Sequence, residues 1–301
     1  MQQISSKTRY IPIGLMLFAL FFGAGNLIFP ASMGQNAGEN IWWAVLGFCV
    51  TGVGLPLLAV MAVAYSGCGF LGKIASRVSP AYGLFYTVVC YMAIGPCFAL
   101  PRTGTVTFEI AVRPFLPQTS DGMAMPIFLL VFFCVALWFA VSPSKLVDRI
   151  GKVLTPLLVL SLAAFIVQSF LEPMGAMPPA GEAYATPGKA VIQGILDGYN
   201  TLDAIAALIF ASLVIRAVND NGIKKPSAVS EEVLKSGVIA GALLALIYIF
   251  IAKVGAESVA AIGMKDTGAP ILAESAKILF GHNGAVLLSV MVILACLTTA
   301  I

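Results

Sequence analysis

Two polar interruptions inside otherwise apolar segments carry the residues with the most distinctive chemistry. The first comprises Gly23, Ala24, Gly25 and Asn26, and the second comprises Tyr199, Asn200, Thr201 and Asp203. A helix that breaks and restarts directs free N–H groups into the gap, which suits a carboxylate, and free carbonyls, which suit a cation. The pattern predicts a site for an amino-acid zwitterion or for an anion beside a sodium ion. The alternative is that Ala19 and Gly23 only permit close helix packing.

Two carboxylates, Asp197 and Asp203, bracket the second interruption. A charged residue at the centre of a bilayer costs about 2.5–3.5 kcal/mol on insertion scales, so such residues usually have a function. Asp203 could bind a substrate ammonium or hold the unwound backbone together, and Asp197 could cap the second half-helix. The simpler alternative is that both only satisfy local backbone groups.

A set of small residues near the end of the sequence could supply oxygen ligands. Ala295, Thr298 and Thr299 are spaced to share one helical face, so two hydroxyls and a carbonyl would form a set of hard oxygen ligands for Na⁺. Threonines in apolar helices often bond back to the preceding turn instead, and the spacing alone favours this second interpretation. Arg102 and Glu109, seven residues apart, could form an ion pair at an external gate or at the membrane interface.

The composition requires these residues to be held by membrane helices. Hydrophobic residues make up 59% of the chain and charged residues 10%, with a mean hydropathy of +0.97, whereas soluble domains carry about 25% charged residues. The basic residues are scattered rather than clustered, so nucleic acid is not an expected partner. The only histidine, His282, is given no role, and the cysteines lack metal or redox spacing.

Stretches close to the roughly 20 apolar residues that span a bilayer recur along the chain. They are 11–29, 41–65, 81–101, 122–144, 153–171, 190–215, 236–252 and 283–301. Between the last two, residues 255–282 predict an outer helical hairpin whose two arms flank Lys265-Asp266-Thr267-Gly268. The first and sixth spans are the interrupted ones, a pattern typical of transporters built from inverted repeats. We therefore expect one five-helix repeat over residues 1–171 and an incomplete second repeat over 190–301.

The basic residues also predict the orientation of the spans. Lys and Arg residues concentrate on one side of the predicted membrane, which indicates a cytoplasmic N-terminus. They are Lys7, Arg9, Lys73, Arg77, Lys145, Arg149, Lys152, Arg216, Lys224, Lys225 and Lys235.

Three motifs resemble one known family. They are LFALFFGAGNLIFP at Leu17–Pro30, AIGPCFALPRTGTVTFE at Ala93–Glu109 and GYNTLDAIAAL at Gly198–Leu208. Together they resemble the branched-chain amino acid:cation symporter family of the amino acid–polyamine–organocation superfamily. The resemblance implies an all-α LeuT-type fold of five plus five helices, apparently truncated here after the eighth. It implies import of leucine, isoleucine or valine with sodium across a bacterial cell membrane, with no other cofactor and no obligate protein partner.

The resemblance also assigns residues. It implies a sodium site formed by Ala19, Phe22, Ala295, Thr298 and Thr299, which reverses the preference for a back-bonding role of the threonines. The implied substrate site falls on the two interruptions, and selectivity would come partly from Tyr91 and Ile94. The alternatives are a carrier of another amino acid, an amine or a nucleobase on the same fold, possible proton coupling, and an intramembrane enzyme using Asp197 and Asp203. No HExxH or GxSxG motif supports the enzyme.

Overall fold

The computed structural model describes residues 10–116, 121–141 and 155–301, and within them the chain forms helices and no strands. The helices before residue 172 are α1 (Tyr10–Phe21), α2 (Ala24–Ala37), α3 (Ile41–Cys49), α4 (Leu55–Tyr65), α5 (Leu71–Ala75), α6 (Pro80–Met92), α7 (Ala99–Thr107), α8 (Asp121–Ala140) and α9 (Thr155–Leu171). They are followed by α10 (Pro187–Tyr199), α11 (Asp203–Asp220), α12 (Pro226–Ile262), α13 (Gly268–Phe280) and α14 (His282–Ala300). Short 3₁₀ or π segments are Gly38–Asn40, Val50–Gly54, Ala93–Cys97, Phe108–Val112, Arg113–Phe115 and Glu182–Tyr184.

Several of these helical stretches are long and apolar enough to cross a membrane. In the part of the chain that the structure describes they are Ala24–Tyr65, Pro80–Phe115, Gly122–Ala140, Pro226–Ile262 and Asn283–Ala300. The pair α10 and α11, bent by 44°, makes one further broken span, and α1 and α9 are shorter apolar helices. The prediction of an all-helical chain with several membrane-length helices is confirmed.

Both predicted interruptions are present. The first span breaks between α1 and α2, where Gly23 has extended backbone angles (φ −122°, ψ −158°). The sixth span breaks between α10 and α11, where Leu202 adopts a left-handed conformation with φ 69°. Helix α2 then continues to Ala37 through Pro30, well beyond the predicted limit at residue 29.

The two broken spans run antiparallel with their breaks at the same level. Helix α1, the first half of one span, packs against α11, the second half of the other, and α2 correspondingly packs against α10. Helices can make both contacts only if the spans point in opposite directions. The long helix α12 packs against both α1 and α2 and so supports both sides of the first break.

Helix α12 meets α2 backbone to backbone through small residues. A Cβ added to Gly34 would lie 2.0 Å from the Ala252 carbonyl oxygen, and one added to Gly255 would lie 2.1 Å from that of Ala31. Such distances leave no room for a side chain, as is usual where membrane helices pack through glycine and alanine. The contact holds α2 firmly against α12.

Two later spans also differ from the prediction. Helix α12 covers residues 226–262, so the predicted span 236–252 and the first arm of the outer hairpin form one helix, and only α13 is separate. The third predicted span, 81–101, is bent near Gly95 (φ −78°, ψ −117°), and a new helix, α7, follows the bend. The adjoining ends of the fourth and fifth predicted spans, together with Lys145, Arg149 and Lys152, lie outside the described residues, as do Lys7 and Arg9.

Candidate functional site

The first break is organised by Asn26. Its side-chain Oδ1 accepts a hydrogen bond from the Gly23 N–H at 3.1 Å, across the start of α2. The first N–H groups of a helix have no partner within that helix, so the first turn of α2 presents donors to the gap. Asn26 is buried, with 2% of its surface exposed.

The second break is organised by Thr201. Its hydroxyl donates to the Gly198 carbonyl at 2.8 Å and accepts the Asp203 N–H at 3.4 Å. These bonds bridge the end of α10 and the start of α11. Asp203 is the first residue of α11, and its carboxylate reaches Asn26 at the first break.

A buried polar cluster of Asn26, Asp203 and Tyr248 joins the two breaks. The Asn26 amide Nδ2 donates to the Asp203 carboxylate and lies 2.5 Å from the Tyr248 hydroxyl. The Tyr248 hydroxyl in turn donates to the same carboxylate at 3.3 Å. Each residue is at most 4% exposed, and no cation of the described chain forms an ion pair with Asp203. A buried carboxylate held by two neutral donors is well suited to bind a cationic group.

A cavity of about 30 Å³, enough for roughly one water molecule, lies between the breaks. Its polar wall includes Asn26, Arg102, Thr103, Thr201, Asp203 and Thr299, and its apolar wall includes Leu20, Phe21, Ile94, Ala99, Ala206 and Phe210. Gly23, Ala24, Gly25 and Leu202 complete the lining. A lining that combines charged and apolar residues suits a small amphipathic ligand.

The structure does not place every predicted substrate residue at this cavity. The side chain of Tyr199 is 48% exposed, and neither Tyr199 nor Asn200 lines the cavity, although the Asn200 carbonyl contacts Arg102. Of the two suggested selectivity residues, Ile94 lines the cavity whereas Tyr91 is 54% exposed and does not.

Four of the five residues implied for sodium are joined by hydrogen bonds within α14 and between α14 and α1. The Thr298 hydroxyl lies 3.1 Å from the Ala19 carbonyl oxygen and 2.9 Å from that of Ala295. The Thr299 hydroxyl lies 3.2 Å from the Ala295 carbonyl. Both threonines therefore bond back to their own helix, and Thr298 also reaches across to α1.

The remaining implied ligand, Phe22, is fully buried at the break itself, and its N–H donates to the Phe18 carbonyl at 2.8 Å. Thr299 borders the same break, because a Cβ on Gly23 would lie 2.8 Å from its hydroxyl oxygen. The oxygen-rich face of α14 is thus next to the point where the first span opens.

Two other sequence expectations are wrong. Glu109 pairs with Arg113 at 2.6 Å, and Arg102 instead donates to the Asn200 carbonyl at 3.0 Å, so Arg102 and Glu109 form no gate. Asp197 does not cap α11, since it lies within α10 and accepts hydrogen bonds from Tyr184 and, at 3.2 Å, from Gln193.

Tyr248 is the site residue that sequence reasoning missed. It comes from α12, the seventh span, which carries no break and gave no reason to expect a binding role. The available signal was a single hydroxyl-bearing residue inside the apolar run Leu243–Ile251. Buried tyrosine hydroxyls usually find a partner, so this residue pointed to a polar group nearby.

Comparisons with known proteins agree with the resemblance seen in the sequence. Residues 6–301 match a family model described as branched-chain amino acid transport protein. The chain is 45% identical over 291 residues to the branched-chain amino acid permease BraB of Bacillus subtilis (strain 168), covering 97% of this chain and 65% of that protein. It is 42% identical over 296 residues to the permease BrnQ of the same organism, covering 98% and 67%.

A third relative is the branched-chain amino acid transport system 2 carrier protein of Pseudomonas aeruginosa, 41% identical over 296 residues, with 97% of this chain and 65% of the relative covered. The chain thus spans about two thirds of the length of the curated relatives that it matches. Since both the family model and these relatives match almost all of it, the chain belongs to the branched-chain amino acid transport protein family.

Proposed function

We propose that this protein imports branched-chain amino acids together with sodium ions by alternating access. The observation that carries the proposal is the buried Asn26–Asp203–Tyr248 cluster at the junction of two antiparallel broken helices, beside a cavity with an apolar wall. The names of the relatives, which are permeases and carriers of branched-chain amino acids, support the substrate class.

In this proposal the substrate ammonium binds Asp203 and the substrate carboxylate faces the first turn of α2. The aliphatic side chain then lies along Ile94, Ala206 and Phe210 on the apolar wall. The cavity of about 30 Å³ is too small for a leucine, so binding requires the surrounding helices to separate.

Sodium is the second substrate. Its proposed ligands are the carbonyls of Ala19, Phe22 and Ala295 and the hydroxyls of Thr298 and Thr299. A cation between α1 and α14 would be attracted by free carbonyls at the end of α1, which is the negative end of that helix dipole. Sodium would thereby hold the first span against α14 while the substrate binds at the adjacent cavity.

We further propose that the chain is organised as two inverted repeats, residues 1–171 and 190–301, in a LeuT-type arrangement with the N-terminus in the cytoplasm. The antiparallel broken spans support this proposal, because inverted repeats place equivalent interruptions at the same depth. In this scheme the protein is a carrier in the bacterial cell membrane and not an enzyme. Asp197 and Asp203 have separate hydrogen-bond partners, which does not favour a catalytic pair.

Proton coupling is the second candidate, and one observation favours it. Asp203 is a buried carboxylate without an ion-pair partner in the described structure, and such a group can carry a proton. Sodium and proton coupling predict different driving gradients, so the transport assay separates them.

The test is uptake of labelled leucine by the full-length protein in proteoliposomes. An inward sodium gradient should drive accumulation, whereas a proton gradient in choline buffer should not. Asp203→Asn should abolish accumulation, and Asp220→Asn, an exposed aspartate at the other end of the same helix, should leave it unchanged. Accumulation driven only by protons would overturn sodium coupling, and absence of leucine uptake in the wild type would overturn the proposed function.

A further inference from the structure

Arg102 lies at the cavity between the two breaks rather than beside Glu109. The bend at Ala93–Cys97 ends the first part of the third span, and α7 restarts at Ala99, so Arg102 lies in the first turn of a new helix. From there its side chain lines the cavity between the two breaks.

The guanidinium of Arg102 is held between the two broken spans. Its Nη1 donates to the Asn200 carbonyl at 3.0 Å, and its Cζ lies 5.3 Å from the centre of the Phe29 ring on α2. A Cβ placed on Gly25 would lie 3.2 Å from the same nitrogen. The charge therefore sits against the first turn of α2, where Gly25 leaves space.

The donor capacity of this guanidinium exceeds the acceptors that it has. A guanidinium has five N–H donors, and within the described residues Arg102 donates to one acceptor, the Asn200 carbonyl; because the side chain is partly exposed, its other donors are open to water or to a ligand. It also lies beside the positive end of the α2 dipole, which is unfavourable for a cation unless an anion is present. Both facts favour an anionic ligand at this point of the cavity.

The two charged side chains of the cavity lining, Arg102 and Asp203, have opposite signs but form no ion pair within the described structure. A zwitterion placed between them satisfies both, because its carboxylate meets the guanidinium and its ammonium meets the carboxylate. An amine would leave Arg102 unmatched, and a simple carboxylic acid would leave Asp203 unmatched. The lining therefore distinguishes amino acids from their singly charged analogues.

We propose that Arg102 binds the substrate carboxylate and restricts the carrier to zwitterionic amino acids. The inference rests on the proposed transport function and goes beyond it by naming the group that rejects amines. On substrate binding the guanidinium exchanges its bond to the Asn200 carbonyl for bonds to the carboxylate. Because Arg102 belongs to the third span, this exchange also ties the bound substrate to a third element beside the two breaks.

The experiment compares wild type, Arg102→Lys, Arg102→Gln and the control Arg77→Gln in proteoliposomes. Arg77 is a matched control because its guanidinium also donates to a backbone carbonyl at 3.0 Å, that of Ser66, away from the cavity. The readouts are KM for labelled leucine and inhibition of leucine uptake by leucinamide, which keeps the ammonium and the side chain but lacks the carboxylate. Size-exclusion profiles and melting temperatures report folding.

In Arg102→Gln the KM for leucine should rise about tenfold or more, since bonds between charged groups are worth about 1.5–3 kcal/mol. Inhibition by leucinamide should change little or strengthen, so the preference for leucine over leucinamide should fall. Arg102→Lys should have a leucine KM and a preference for leucine over leucinamide between those of wild type and Arg102→Gln. It keeps the positive charge but loses the planar, bidentate set of N–H donors. Arg77→Gln should retain the wild-type preference.

An unchanged preference for leucine over leucinamide in Arg102→Gln would overturn the inference while leaving leucine transport by the wild type intact. Equal loss of leucine and leucinamide binding would also overturn it, because that result indicates a general structural role. If Arg102→Gln does not fold, the same comparison with Arg102→Lys decides. Leucine uptake by the wild type is measured separately, and its absence would overturn the proposed function itself.

Discussion

Thr298→Val separates the two roles that the sequence left open for the threonines of α14. The side chain is fully buried, and its hydroxyl contacts the Ala19 carbonyl at 3.1 Å and the Ala295 carbonyl at 2.9 Å. Valine has nearly the same shape, so the substitution removes the oxygen and leaves the packing almost unchanged. If the hydroxyl is a sodium ligand, the free energy of sodium binding must fall by more than the free energy of unfolding.

The expected size of the effect follows from the charge of the ion. An interaction of a polar group with a charged partner is worth about 1.5–3 kcal/mol, which corresponds to roughly a 10- to 150-fold change in an equilibrium constant. We therefore expect Thr298→Val to raise the sodium concentration for half-maximal leucine uptake at least tenfold. Thr298→Ser, which keeps the oxygen, should stay close to wild type.

The assay is leucine uptake at increasing sodium concentration, with the melting temperature measured on the same preparations. Thr87→Val is the control, because the Thr87 hydroxyl bonds back to the Gly83 carbonyl at 2.7 Å on a helix outside the candidate sodium site. The reasoning is refuted if Thr298→Val and Thr87→Val lose similar stability and both keep the wild-type sodium dependence. The hydroxyl would then be a helix back-bond only.

Two further substitutions test the polar cluster and the long helix α12. Tyr248→Phe keeps the buried ring and removes one donor to the Asp203 carboxylate. We therefore expect the leucine KM to rise about tenfold, with little change in expression. An unchanged KM would show that the hydroxyl has no part in binding. Lys253→Gln leaves Glu257, its ion-pair partner at 2.7 Å and only 9% exposed, as an uncompensated buried charge, at a cost of about 3–5 kcal/mol. Thermal unfolding should show this loss of stability for Lys253→Gln and a smaller loss for the double variant Lys253→Met with Glu257→Met. Equal losses of stability in the two variants would contradict the ion-pair account.

The breaks in the helices were predictable because their causes are local. Gly23 and Gly25 weaken the first span wherever it is placed, and a polar run from Gly198 to Asp203 does the same in the sixth. The contact of Thr298 with Ala19 was not local, and composition and spacing left its role open until the resemblance suggested a partner on the first helix. The sequence therefore predicts the ends of helices better than it predicts the contacts between side chains.

The extent of α12 was missed because a charge was read as the end of a span. Lys253 marked the predicted boundary, but it pairs with Glu257 one turn later, and the pair is buried within a continuous helix. An ion pair at this spacing neutralises its charge inside the helix. The polarity of one residue cannot show this, since it depends on the residue four positions away and on the packing around both.

The role of Asp197 was missed for a different reason. Its partner Tyr184 is 13 positions earlier, in the segment before α10, and only the folded chain brings the two together. The expected pairing of Arg102 with Glu109 rested on their spacing alone. Both residues lie after the bend near Gly95, where Arg102 reaches the Asn200 carbonyl and Glu109 pairs with Arg113, four residues further on.

The left-handed backbone of Leu202 implies an order of assembly for the sixth span. A leucine at φ 69° is strained by about 1–3 kcal/mol relative to an ordinary helical residue, and this strain alone would favour a straightened segment. Straightening is opposed locally by the Thr201 bonds to Gly198 and Asp203, and from elsewhere in the chain by the Arg102 bond to the Asn200 carbonyl and the Asn26 bond to Asp203. The sixth span should therefore be straighter when it is first inserted than in the folded protein, and its gap should become fixed when the first and third spans dock beside it.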